Sequence, residues 1–214
     1  MNIELPEKNL ILSKRTYIED GVLKIKRNVS FADLMYEFTY RIKGKKCAYC
    51  GLPLDESNMT IDHIYPRDFG GPTITNNLNP CCKICNEKKS NMTIKEFKVF
   101  KKLKSEDSKR EYKRLIRKCQ EKTRESGEYI LPEGWISETN IEEIIVIINL
   151  SDDYKGRKYK LLQEYYKRYG IIKYPIVVDK NGFLLDGFLS LMLAKNLKIK
   201  EVRTVVIDNV EIIL

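Results

Sequence analysis

At 214 residues, with 43% hydrophobic content and only seven prolines, the chain has the make-up of an ordered globular protein of one generous domain or two small ones, which excludes a disordered polypeptide. The formal net charge is +9, and six of those charges fall in residues 95–131, where thirteen Lys and Arg face seven Asp and Glu; residues 132–214 balance at twelve against twelve. Such a stripe attracts polyanions through counterion release, so nucleic acid is the first partner to consider. No apolar run approaches the roughly 20 residues of a membrane span, and MNIELPEKNL lacks the pattern of a secretory signal, so a cytoplasmic protein with no membrane partner is expected.

In chain order, KRTYIEDGVLKIKR (14–27) holds two β-prone runs around Asp20-Gly21 and predicts a hairpin. Ser30 is placed as the N-cap of a helix over FADLMYEFTYRIK, whose Phe31, Leu34, Met35, Phe38 and Ile42 recur at helical spacing. Thr93 and Glu96 read as a capping box for IKEFKVFKKL, and a second basic helix follows Ser105, with Phe97, Phe100, Leu115 and Ile116 expected to bury one side. GEYILPEGW (127–135) is the linker candidate. Beyond it the reading is a strand over 141–150, a helix over 159–170 ended by Gly170, strands at YPIVVD and FLLD around Lys180-Asn181-Gly182, a helix at LSLMLAKNL and a last strand at VRTVVID. The domains expected are 1–92, 93–131 as a basic helical arm with linker, and 132–214 as a small α/β unit.

Six cysteines in a reducing compartment argue for thiolates rather than disulfides. Cys47-Ala-Tyr-Cys50 and Cys82-Lys-Ile-Cys85 supply the four ligands of a tetrahedral structural zinc, although Cys81 adjoins Cys82 and could replace it. Cys119, alone in a helix, reads as a core residue. The 31 residues between the pairs exceed a plain zinc-ribbon gap and contain the chain's single histidine, His63, directly after Asp62, with Gly70-Gly71 and Asn77 following and Asn86 just after Cys85. Hydrolysis of a phosphodiester with a hard cation needs oxygen ligands and a base that is neutral near pH 7, and Asp, Asn and His are the appropriate types.

Cys47-x-x-Cys50, Ile61-Asp62-His63-Ile64-Tyr65-Pro66 with Gly70-Gly71, Asn77-Leu78, and Cys82-x-x-Cys85-Asn86 followed by Lys88-Lys89 resemble the zinc-bearing His-Asn-His (HNH) endonucleases over about residues 45–92. The resemblance implies a ββα-metal finger in which His63 is the general base, Asp62 and Asn86 hold a catalytic Mg²⁺ or Mn²⁺, and Asn77 orients the loop and the His. Arg67, Lys88 and Lys89 are the expected nucleic-acid contacts. A weaker resemblance links residues 140–210, through Pro175–Gly182, Leu185-Asp186-Gly187 and Ala194–Leu197, to the N-terminal domain of ParB-like proteins. Here Phe188-Leu189-Ser190-Leu191 stands where that family has polar His or Arg residues, so nucleotide binding is not expected.

The expected fold class is therefore α+β: a ββα-metal zinc finger nuclease domain with a basic arm, plus a small ParB-like α/β domain. The expected function is metal-dependent cleavage of double-stranded DNA, with a homodimer as one route to a double-strand break. The competing reading is a catalytically silent zinc module that binds nucleic acid or a protein. Small size, the basic arm and the appended domain point to a phage or mobile-element origin.

Overall fold

A computed structural model describes residues 1–13, 16–26, 29–147 and 156–213. Strands β1 (Leu10–Ser13), β2 (Thr16–Glu19) and β3 (Val22–Lys26) form an antiparallel meander, and β2 and β3 turn at Asp20-Gly21 as the sequence predicts. Helix α1 (Phe31–Lys43) begins at Ser30, whose hydroxyl accepts from the Asp33 amide, and buries Phe31, Leu34, Met35 and Phe38 on one face. A cap of this kind contributes about 1 kcal/mol, while truncating a fully buried Phe such as Phe38 costs roughly 3–5 kcal/mol.

The finger follows: β4 (Met59–His63), a loop containing two short 3₁₀ turns, β5 (Leu78–Cys82) and α2 (Lys83–Lys89). β4 and β5 pair antiparallel with Asp62 opposite Asn79 and His63 opposite Leu78. α3 (Ile94–Lys102) starts with the reciprocal Thr93–Glu96 box, and α4 (Glu106–Ser126) starts at Ser105 and ends at Gly127. Phe97 and Phe100 are buried, but Leu115 is 49% exposed and Cys119 is exposed, so both expected core assignments are corrected. α4 buries only Gln120, because a helix this rich in Lys and Arg has too little apolar surface for a wide buried face.

The remaining elements are β6 (Ser137–Asn140), α5 (Arg157–Tyr169), β7 (Ile176–Asp179), β8 (Leu184–Asp186), α6 (Phe188–Asn196), β9 (Glu201–Ile207) and β10 (Val210–Ile213). The C-terminal sheet runs β6-β9-β7-β8, with β7 and β9 parallel across α6. The strand expected over 141–150 is corrected. Asn140 caps a 3₁₀ turn over Ile141–Glu143, only Ile145 makes a bridge, to Phe183, and residues 148–150 lie outside the described residues.

VRTVVID is not the last strand. β10 follows it and pairs parallel with β3, adding a fourth strand to the N-terminal sheet. Ile18, Leu23, Ile25 and the α1 residues share one core with Ile74 and Leu78 of the finger and with Val177, Val205, Ile207 and Val210. The presumed linker is also packed: Ile130 N–H donates to Phe69 O at 3.1 Å, Trp135 lies edge-on to Tyr65 at 5.8 Å, and the Arg203 guanidinium covers the Tyr129 ring at 4.8 Å.

Candidate active site on a four-cysteine finger

The cysteine knuckles close the finger at its ends. Gly51 turns the chain at φ +76°, its N–H donating to Cys47 O, and the Tyr49 N–H donates to Cys47 Sγ at 3.4 Å. Cys82 is the N-cap of α2, which brings Cys85 round on the first turn. The Sγ atoms of Cys47, Cys50, Cys82 and Cys85 all lie within 4.8 Å of one another, and Cys50 and Cys82 are 3.8 Å apart. Tetrahedral Zn–S bonds near 2.3 Å place sulfurs about 3.8 Å apart, so the set fits a structural zinc. Against burial, the backbone N–H groups of Cys82, Tyr49 and Cys50 lower the Cys47 thiol to about 7, whereas burial pushes the Cys85 thiol up, so the geometry of the four sulfurs carries the assignment. Cys81 is fully buried against Thr60 and its thiol is pushed up by burial to about 12; it stands outside the cluster, which decides between the two candidate ligands in favour of Cys82.

Alternation along β4 sets the chemistry. Thr60 and Asp62 share the face toward α2, where Thr60 Oγ1 accepts from Asn86 Nδ2 at 3.1 Å and Asp62 meets Lys89. His63, one residue on, sends its ring the other way, and His63 Nε2 lies 3.2 Å from Thr73 Oγ1 in the loop. The structure therefore brings Asp62 and Asn86 to one side of the strand and holds the imidazole at its end, in contact with the loop. Burial first, then the charges of Arg67 and Lys89, lower the His63 pKa to about 3, so the ring is neutral at physiological pH.

Asn77 is completely buried and clasps the loop. Its Oδ1 accepts from Tyr65 N at 2.8 Å, its Nδ2 donates to Tyr65 O at 3.1 Å and Pro72 O at 2.9 Å, and its carbonyl accepts from Ile64 N at 2.7 Å. The two glycines are explained by close approach. A Cβ on Gly71 would lie 1.8 Å from Tyr65 O, and one on Gly70, at φ +85°, would enter the Tyr129 ring at 2.5 Å.

Lys88 is exposed on α2, and the exposed Arg67 stacks on the Tyr174 ring at 5.0 Å. Lys89 does not face solvent, and the expectation that it contacts nucleic acid is corrected. It is 0% exposed, with Nζ 2.9 Å from Asp62 Oδ2 and donating to His63 O at 2.9 Å. A signal for this was available, since Asn86 and Lys89 stand at i and i+3 and so share the α2 face that meets β4. Tyr49, which like Thr73 was not singled out from the sequence, donates its hydroxyl to Asp62; burial and then the Asp62 charge push the phenol pKa up, keeping it a donor. Nothing in the C-x-x-C spacing marks that contact. A cleft of about 520 Å³ opens beside the loop, lined by Arg67 and Thr73 from the finger and by Lys158, Lys173 and Ser190 from the C-terminal elements.

Residues 47–99 match a family model described as HNH endonuclease. The finger belongs to the HNH endonuclease family. The chain is 40% identical over 70 residues to the CRISPR-associated endonuclease Cas9 of Corynebacterium diphtheriae, a match covering 32% of this chain and 6% of that protein. It is 45% identical over 40 residues to the uncharacterized protein ORF326b of Acidianus two-tailed virus, covering 19% and 12%. These matches are thus confined to small parts of both relatives. Among solved structures, a Pnob8-like ParB-N domain is 23% identical at TM-score 0.29, covering 34% of this chain and 29% of that one. The Type II-C Cas9 from Actinomyces naeslundii is 18% identical at TM-score 0.30, covering 66% and 15%. No described helix is long and apolar enough to cross a membrane.

Proposed function

We propose that the chain is an endonuclease that hydrolyses DNA phosphodiester bonds, with His63 as the base that takes a proton from water. The observation that carries this reading is the neutral imidazole fixed at the end of β4 of an HNH finger, bonded to Thr73 and backed by the loop that Asn77 clasps. Burial that keeps His63 neutral also weakens it as a base; a bound phosphate close to the ring would raise its pKa and restore basicity where substrate lies.

Asp62 and Asn86 offer hard oxygens on one face, a donor set that suits Mg²⁺ or Mn²⁺ by type, because Asn86 turns its Nδ2 to Thr60 and its Oδ1 has no hydrogen-bond partner among the described residues. Such a cation, when bound, would stabilise negative charge on the phosphorus oxygens and the leaving group. The chain's own residues do the rest: Thr73 holds the ring, Asn77 holds the loop, and Lys88 and Arg67 offer cations to flanking phosphates. The exposed Arg110, Arg114, Arg117, Lys118 and Lys122 of α4 would track the duplex backbone.

Residues 132–214 would serve recognition, docking or pairing of two copies, the last supplying two fingers for a double-strand break. Segments 1–92 and 132–214 are in this view functional divisions built on a shared core, while 93–131 packs Phe97 and Phe100 with Met92 and Tyr49 in a cluster of its own.

A second reading, a silent binding module, is favoured by one observation: Asp62 is already engaged by Lys89 and Tyr49. The two are separated by incubating supercoiled plasmid with the chain and Mg²⁺ or Mn²⁺, beside His63→Ala and an EDTA control. Nicking that needs both cation and His63 supports the enzyme; retention of DNA without nicking supports the silent module.

A further inference from the structure

The buried partner of Asp62 is an ammonium, and burying an ammonium is costly unless it is paired and hydrogen-bonded. Lys89 meets that condition at three points: Asp62 Oδ1 at 3.2 Å, Asp62 Oδ2 at 2.9 Å and His63 O at 2.9 Å. The carboxylate, 6% exposed, also accepts from Tyr49, so both its oxygens face positively charged or polar donors. An ammonium and a divalent cation on one carboxylate weaken each other's hold, since the two cations would sit within a few ångströms of each other in a site with little water to screen them.

We propose that Lys89 is the built-in competitor of the divalent cation: its ammonium must leave the Asp62 carboxylate for the ion to bind, so Lys89 sets the metal concentration at which the site loads. This inference rests on the nuclease reading for the identity of Asp62 as a ligand. The fold provides somewhere for the ammonium to go. Lys89 also lines a cavity of about 330 Å³ between the end of α2 and α4, where Glu87, Asn91 and Gln120 stand beside Lys113, Arg117 and Arg124, so the ammonium has room there but meets other cations, which adds to the cost of displacing it. At the carboxylate the exchange trades a monovalent partner for a divalent one, raising the local charge by one, and no covalent bond changes.

The test uses the full zinc-loaded chain and Mn²⁺, with free ion measured by electron paramagnetic resonance. Lys89→Met, checked for zinc content and circular dichroism, is expected to bind Mn²⁺ roughly tenfold or more tightly than the parent, and Asp62→Asn to lose that binding. Unchanged or weaker Mn²⁺ affinity in Lys89→Met, or Mn²⁺ binding indifferent to Asp62→Asn, overturns the proposal.

Should Lys89→Met not fold, reductive methylation of the unmutated protein, read by mass spectrometry, gives the answer. Lys89 is expected to be protected without Mn²⁺ and dimethylated with it; protection in both conditions overturns the proposal. None of these readouts involves cleavage. A chain that binds Mn²⁺ in competition with Lys89 yet cuts nothing sinks the enzyme reading alone, whereas one that cuts while Lys89 stays protected sinks only this inference.

Discussion

Asn77 and the Tyr65 peptide exchange two hydrogen bonds: Tyr65 N–H donates to Asn77 Oδ1 at 2.8 Å and Asn77 Nδ2 donates back to Tyr65 O at 3.1 Å. This reciprocal pair fixes the chain two residues after His63, and it does so from a fully buried side chain. Replacing Asn77 with Ala leaves buried backbone groups without partners, each costing about 1–3 kcal/mol. Asn77→Ala should lower Tm by several degrees and reduce plasmid nicking at least tenfold while zinc content stays at one per chain. Full nicking in that variant would show that the loop needs no clasp.

The cysteine assignment makes a contrast between neighbours. Cys82→Ser removes a ligand of the four-sulfur cluster and should lose zinc by elemental analysis and unfold the finger, because a finger this small takes its stability from the metal. Cys81→Ser should keep zinc and cost a modest amount of stability through the polar hydroxyl at a buried site, and Cys119→Ser, on the surface of α4, should change neither. Equal zinc loss from Cys81→Ser and Cys82→Ser would reassign the ligand.

Acid sensitivity has a local source at the junction of β3 and β10. Glu211 lies 2.6 Å from both Lys180 and Lys24, and bonds first to Lys180 and then to Lys24 hold its carboxyl at about 2, below the ordinary value of 4.5. A depressed carboxyl favours the folded state above the unfolded pKa, so its contribution is complete above about 4.5 and is lost as the pH falls toward 2. The pairs touch solvent, so Glu211→Gln should lower Tm at pH 7 by only about 2–4 °C, the size expected of roughly 1 kcal/mol in a chain this long. The difference between parent and variant should shrink steadily below pH 4.5 in calorimetry.

DNA affinity should depend on α4 without depending on sequence. Arg110→Glu, Arg114→Glu and Arg117→Glu each remove an exposed cation from one stripe of the helix. Each is expected to weaken binding of unrelated duplexes alike and to reduce the slope of log affinity against log salt by about one, as loss of a phosphate contact does. A loss confined to one DNA sequence would place base readout on α4.

Local signals carried much of the architecture. Ser30, the Thr93–Glu96 pair and Gly170 mark helix ends through short-range hydrogen bonds and backbone handedness, and all three stand where the sequence puts them. The C-x-x-C pairs likewise place four sulfurs together. What escaped was decided at long range. β10 is a four-residue run whose partner, β3, lies nearly the whole chain away, and of the strand-like run that begins at Ile141 the first three residues, Ile141–Glu143, form a 3₁₀ turn behind the Asn140 cap while Ile145 bridges to distant Phe183. Lys89 shows the limit most clearly in the candidate site. As half of a Lys-Lys doublet it reads as a surface cation, and its i+3 spacing from Asn86 separates it from exposed Lys88 only once the packing of α2 on β4 is known.

The pairing of β4 with β5 bears on which length changes the finger can survive. Asp62 and His63 are adjacent, so inserting or deleting one residue within 59–62 would exchange their places, turning the imidazole toward Asn86 and Lys89 and the carboxylate toward Thr73. The exposed turn at 55–57, ahead of the strand, carries no such constraint. Among relatives of this finger, insertions should therefore accumulate before the strand and be purged within it.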